Sequence, residues 1–159
     1  HPDGAVQHYD KKHLFTFGGE HKRFTAGTER VVVNFRGVRI LLEVCYDLRF
    51  PVWSRNLGDY DMILYVASWP TPRVDAWSAL LRARAIENQC YVAGVNRMGT
   101  DPTCEYSGGS AIIDPYGKTI AECPWSRESA VSADIDMEAL QAFRKKFPVL
   151  DDADPFTLI

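Results

Sequence analysis

Apolar residues change their spacing several times along this chain, and each change marks an element. Residues 31–35 and 38–44 are two apolar runs separated by Arg36-Gly37. They read as a β-hairpin, because a short glycine-containing connection supplies the backbone freedom of a tight turn. Pro51 suits the first turn of a helix, where its missing N–H has no partner to lose. That helix carries Val52, Trp53 and Leu57 and ends near Gly58. Met62-Ile63-Leu64-Tyr65-Val66-Ala67 is a continuous apolar run, the pattern of a strand buried on both faces. Ser68-Trp69-Pro70-Thr71-Pro72-Arg73 is a loop stiffened by two prolines. From 74 to 88 the spacing becomes helical, with Trp77, Leu80, Leu81, Ala85 and the aliphatic part of Arg84 on one face. Residues 91–95 return to a strand. Strand, helix, strand, helix, strand in succession predicts an α/β domain.

The remainder adds a hairpin, 110–113 and 118–121, around Asp114-Pro115-Tyr116-Gly117. A further strand is expected at 130–135. Asp136 is placed to cap a last helix carrying Leu140, Phe143 and Phe147, which Pro148 ends. The tail from Asp151 to Pro155 reads as polar and extended. No repeat, linker or low-complexity segment divides the chain, so residues 1–159 read as one domain.

Composition narrows the function classes. Hydrophobic residues make up 46% and charged residues 25%, and the net charge of −3 gives no electrostatic case for nucleic acid. The basic cluster around His8, Lys11, Lys12, His13, His21, Lys22 and Arg23 reads as a solvated face. Cys45, Cys90, Cys104 and Cys123 form no Cys-x-x-Cys pair, which favours free thiols in a reducing cytoplasm. No apolar run approaches the length of a bilayer span, and no signal peptide is visible. His1, His8, His13 and His21, with Asp10 and Glu20 nearby, match no zinc spacing. Gly108-Gly109 precedes a strand, the wrong context for a phosphate loop. Neither a metal nor another cofactor is expected.

Cys45 is the leading candidate for chemistry. It ends the apolar run 38–44 and precedes Tyr46-Asp47-Leu48-Arg49-Phe50-Pro51, which does not continue a strand. A thiol where a buried strand turns sharply is placed for nucleophilic attack, although free cysteines also serve simply as packing. Trp69 and Arg73 lie on the loop after a central strand, where α/β folds gather ligand contacts. Trp69 is a candidate pocket wall and Arg73 a candidate reader of a carboxylate, an anion that suits a bidentate guanidinium. Glu43 and Glu105 are polar candidates near strand ends without a distinct role. Asp47 and Arg49 read as structural, tying down the turn.

Three segments in register resemble the nitrilase superfamily of carbon–nitrogen hydrolases. They are Tyr9-Asp10-Lys11-Lys12-His13-Leu14-Phe15, then Glu43-Val44-Cys45-Tyr46-Asp47-Leu48-Arg49-Phe50-Pro51, then Arg82-Ala83-Arg84-Ala85-Ile86-Glu87-Asn88-Gln89 with Tyr91-Val92-Ala93. Within it, the run from Cys45 to Asn56 and Ser68-Trp69-Pro70 look most like the bacterial omega-amidase group. The resemblance implies a four-layer αββα sandwich, commonly dimerised through its helices. It implies a Glu, Lys and Cys triad in which Cys45 forms a thioester and Lys11 stabilises the oxyanion, with the backbone N–H of Tyr46 beside the nucleophile. Glu20 resembles the family's second glutamate, which orients the lysine, and His13 is expected to fix the lysine segment by hydrogen bonding. The family's triad glutamate stands upstream of the lysine, and nothing in the residues before Lys11 matches its segment. The chain therefore reads as the C-terminal part of the domain, with activity that depends on the rest. The expected reaction is hydrolysis of a small linear amide, an omega-amide of a dicarboxylate such as a 2-oxo acid amide. Nitrile or N-carbamoyl hydrolysis remains open, as does a non-catalytic remnant acting by association.

Overall fold

A computed structural model describes residues 4–157, so His1 lies outside the described residues. Six strands form one sheet in the order β1-β2-β3-β4-β7-β8. The hairpin of β1 (Val32–Phe35) and β2 (Val38–Val44) turns through Arg36 and Gly37, both at positive φ (51° and 83°). Two successive left-handed residues match the twist of the flanking strands. β2, β3 (Met62–Ala67) and β4 (Tyr91–Asn96) run parallel, with Leu42 beside Leu64 and Leu64 beside Ala93. β7 (Ala111–Ile113) and β8 (Thr119–Glu122) complete the sheet antiparallel. β5 (Met98–Thr100) and β6 (Glu105–Ser107) form a separate two-stranded ribbon that the apolar pattern did not reveal. Strands of three residues are too short to show a period.

One sheet face carries Leu41, Ile63, Tyr65 and Val92, all fully buried. The helix α2 (Val74–Glu87) packs there through Trp77, Leu81 and Ala85. Gly94 permits the close approach, since a Cβ there would stand 2.5 Å from Leu81 Cδ1 and 2.8 Å from Trp77 Cζ2. Alternation puts Leu42, Val44, Leu64, Val66, Ala93 and Val95 on the opposite face. There Val66 is 47% and Val95 50% exposed. β3 is therefore buried on one face by the described residues, not on both as its unbroken apolar run suggested.

Three other expectations fail for identifiable reasons. α1 spans only Pro51–Ser54, because Asn56 leaves the helix to pair with Asn88. The Asn56 amide N–H donates to Asn88 Oδ1 (2.9 Å) and its side chain donates to Asn88 O (3.0 Å). Leu57 is consequently exposed. Residues 130–135 form no regular element and take no place in either sheet among the described residues. The tail contains a 3-10 turn, Val149–Asp152. The last helix, α3 (Met137–Lys146), has its expected cap, with Asp136 Oδ1 accepting from the Ala139 N–H at 2.8 Å.

At the N-terminal ends of the parallel strands, the buried Asp61 carboxylate joins distant segments. Arg39 donates to both of its oxygens (2.9 and 2.7 Å), and Arg144 on α3 donates to Oδ1 (2.9 Å). Arg144 also donates to the Tyr60 and Gln89 carbonyls at 3.0 and 2.9 Å.

Candidate active site

The opposite ends of the same strands carry the chemistry. Cys45 follows the last residue of β2 at φ 50°, a left-handed conformation that costs a non-glycine residue free energy and turns the chain sharply into the 3-10 segment Cys45–Arg49. The fully buried Asp47 holds this turn. Its Oδ2 accepts from the Val44 N–H (3.0 Å) and from Tyr9 Oη (2.9 Å). Its Oδ1 accepts from the His13 backbone N–H (2.9 Å) and lies 2.8 Å from His13 Nδ1. A carboxylate only accepts, so His13 Nδ1 carries the proton in this pair. The His13 ring stacks on Phe50 with 3.8 Å between centroids. Tyr9 Oη accepts in turn from the Lys12 N–H and from Trp53 Nε1, each at 3.0 Å.

Lys11 lies between Tyr9 and His13, and fastening both of these to Asp47 fixes the segment that carries it. The Lys11 ammonium donates to both oxygens of Glu20, at 3.0 and 2.7 Å. Glu20 Oε2 also accepts from the Phe15 N–H (2.8 Å), and the Gly27 N–H closes the loop onto Lys11 O (2.9 Å). Desolvation pushes the Glu20 carboxyl up, but the hydrogen bonds from Lys11 and Phe15 outweigh it and hold it below the usual range. At Cys45 the balance runs the other way. Burial pushes the thiol up, and the nearby Lys11 charge offsets this only in part. A base is therefore needed to make the thiolate at neutral pH.

A pocket opens here, lined by Cys45, Tyr46, Arg49, Trp69 and Arg73 with Phe15. The structure thus gathers Cys45, Lys11, Glu20, Tyr46, Trp69 and Arg73 at one end of the sheet. Glu105 is exposed on the β5–β6 ribbon and does not line this pocket. Glu43 is buried beneath the sheet face covered by α2, with Oε2 accepting from Ser54 Oγ (2.9 Å) and Oε1 without a hydrogen-bond partner. Burial raises its carboxyl to about 7. Two features escaped the sequence. Arg49 faces the pocket instead of tying the turn, and Asp47 fastens the lysine segment as well as its own turn. The alternation Tyr9-x-Lys11-x-His13 was the available signal for the second. Among the described residues no group of three or more His, Cys, Asp or Glu side chains could hold a metal ion, and no helix is long and apolar enough to cross a membrane.

Residues 1–145 match the carbon-nitrogen hydrolase family. Omega-amidase YafV of Escherichia coli (strain K12) is 55% identical over 158 residues, covering 99% of this chain and 62% of that protein. 2-Oxoglutaramate amidase of Bacillus subtilis (strain 168) is 42% identical over 149 residues, covering 92% and 57%. The chain thus spans about three fifths of the length of these relatives. Among solved structures, XC1258 of Xanthomonas campestris, described as a CN-hydrolase superfamily protein with an arsenic adduct in its active site, superposes with a TM-score of 0.95. It is 49% identical, with 99% of this chain and 63% of that one covered.

Proposed function

The chain belongs to the carbon–nitrogen hydrolases and has the α/β fold of the nitrilase superfamily; from that premise we propose that the protein carrying it hydrolyses an omega-amide of a small dicarboxylate, a 2-oxo acid amide, to the acid and ammonia. The observation that carries this reading is a cysteine on a strained turn beside a fixed Lys–Glu pair, in a pocket that also holds arginines without carboxylate partners.

Cys45 Sγ attacks the amide carbon after its proton passes to a base. Both Glu20 oxygens already accept from Lys11, and Oε2 also accepts from Phe15, so Glu20 is the orienting carboxylate. The resemblance assigns the base to a glutamate that the family carries ahead of its lysine segment. Negative charge on the carbonyl oxygen is met by the Lys11 ammonium and the Tyr46 N–H. The C–N bond breaks, nitrogen takes the proton and leaves as ammonia, and a thioester remains on Cys45. Water then attacks the thioester, giving the acid and the free thiol. The pocket arginines favour an anionic amide over a neutral nitrile. Homodimerisation through helices and a cytoplasmic location belong to the same proposal, and the four free cysteines fit a reducing compartment.

The test is rapid quenching of the protein with a slow omega-amide, followed by intact-mass and peptide analysis. The expected result is ammonia release with an acyl adduct on Cys45. An adduct on Cys90, Cys104 or Cys123 overturns the assignment.

A further inference from the structure

Arg30, Arg39, Arg84 and Arg144 each pair with an Asp or Glu. Arg49 and Arg73 have no such partner among the described residues, and both line the pocket that contains Cys45. Each is instead seated on an aromatic ring. The Arg49 guanidinium carbon lies 4.9 Å from the Trp69 ring centroid, and that of Arg73 lies 5.5 Å from the Phe15 centroid. Stacking engages the flat face of a guanidinium and leaves its N–H edge free to donate.

Trp69 organises both cations. It is buried, its backbone N–H donates to Asn96 Oδ1 (2.7 Å), and its carbonyl accepts from Asn96 Nδ2 (2.9 Å). Its ring tilts against Trp77 at 5.5 Å. Its Nε1 donates to the Arg73 carbonyl at 2.7 Å, fixing the turn that carries Arg73, while its face supports Arg49. One buried indole beside the nucleophile thereby supports the Arg49 guanidinium directly and the Arg73 side chain through its backbone.

We propose that Arg49 is a specificity-determining residue that, together with Arg73, reads the 2-oxo acid end of the substrate. This rests on the amidase reading. An omega-amide has one free carboxylate, and a single guanidinium fork satisfies one edge of it. A 2-oxo acid adds a ketone oxygen next to that carboxylate. Arg73 binds the carboxylate, and Arg49 donates to the ketone oxygen and the adjoining carboxylate oxygen. The pair therefore distinguishes 2-oxo acid amides from simple dicarboxylate monoamides of equal length.

The experiment compares kcat/KM for three five-carbon amides in the protein carrying this chain: 2-oxoglutaramate, glutaramate and neutral pentanamide. The variants are Arg49→Gln, Arg49→Lys and Arg73→Gln. For Arg49→Gln the loss on 2-oxoglutaramate is expected to exceed the loss on glutaramate by about ten- to a hundredfold, the effect of a charge-assisted hydrogen bond. Arg49→Lys restores only part of it, because an ammonium lacks the fork. Arg73→Gln lowers both anionic substrates alike relative to pentanamide. Equal losses on 2-oxoglutaramate and glutaramate in Arg49→Gln overturn the proposal. A second measurement does not need turnover: protection of Cys45 from iodoacetamide by 2-oxoglutarate and by glutarate. The unsubstituted protein is expected to be protected at lower concentrations of 2-oxoglutarate, and Arg49→Gln to lose that preference. A preference that survives the substitution overturns the proposal. Failure of the unsubstituted protein to hydrolyse any of the three amides counts against the amidase reading, and the protection assay then still decides the role of Arg49.

Discussion

Asp47 is a single carboxylate on which two distant segments depend, since it binds Tyr9 and His13 in the lysine segment and Val44 at the end of its own strand. Asparagine has nearly the same volume but replaces one acceptor oxygen with an NH2 group. Asp47→Asn therefore sets N–H against N–H at one end of the side chain, and a buried donor left unpaired costs about 1–3 kcal/mol. A drop of several degrees in Tm is expected. So is a rise in the pH midpoint for alkylation of Cys45, because a displaced Lys11 charge would no longer offset the burial of the thiol, and that loss outweighs removal of the weaker, opposing Asp47 charge. Scanning fluorimetry and the pH dependence of iodoacetamide labelling measure the two effects. A lower Tm with an unmoved labelling midpoint would reduce Asp47 to a brace. Cys45 was legible in the sequence because motif and strand end coincide, and the Lys11–Glu20 pairing was legible only through the family resemblance. Arg49 was not legible, since the neighbours that leave its guanidinium facing the pocket, Trp69 above all, lie some twenty residues away in the chain.

The hairpin, the three parallel strands and α2 were readable because each is an apolar or periodic run long enough to stand out from the turn residues around it. What was lost were contacts between elements. The Asn56–Asn88 pairing that stops α1 joins residues 32 positions apart, beyond any local pattern. Residues 130–135 have strand-like alternation in sequence but join neither sheet among the described residues. Glu43 on β2 is a further cross-element contact, reaching Ser54 on α1, whose hydroxyl also meets Tyr65 on β3 at 3.0 Å. Its folded value of about 7 lies above the ordinary 4.5. A carboxyl raised in this way favours the folded state while protonated, so its contribution is complete below pH 4.5 and is lost as pH rises through about 7. Glu43→Gln stays neutral throughout. The Tm of this variant relative to the unsubstituted protein is expected to rise between pH 4.5 and pH 7 and to level off above that range. A difference that stays flat across the window would mean that Glu43 does not titrate there.

At the scale of the molecule, the sheet is covered by helix on one face and apolar on the other, with Val66 and Val95 half exposed. A four-layer sandwich encloses such a face between its two sheets, and the relatives have the additional length to supply the second sheet. Val66→Lys with Val95→Lys is expected to have opposite effects in two settings. Residues 1–159 made alone should bind less of a hydrophobic dye and stay monomeric to higher concentration. A longer protein of the relatives' length should lose folded yield, because the charges would be buried between sheets. Light scattering and dye fluorescence on both proteins decide it, and equal tolerance in the two would mean that the face is never covered. The parallel strands also divide the molecule along their length. Cys45, Trp69 and Asn96 stand at their C-terminal ends, while Arg39, Asp61 and Arg144 lock the N-terminal ends. Activity and robustness commonly trade against each other when one region serves both. Here they lie a strand's length apart, so laboratory evolution has room to harden the Asp61 end while leaving the catalytic end free to explore new substrates.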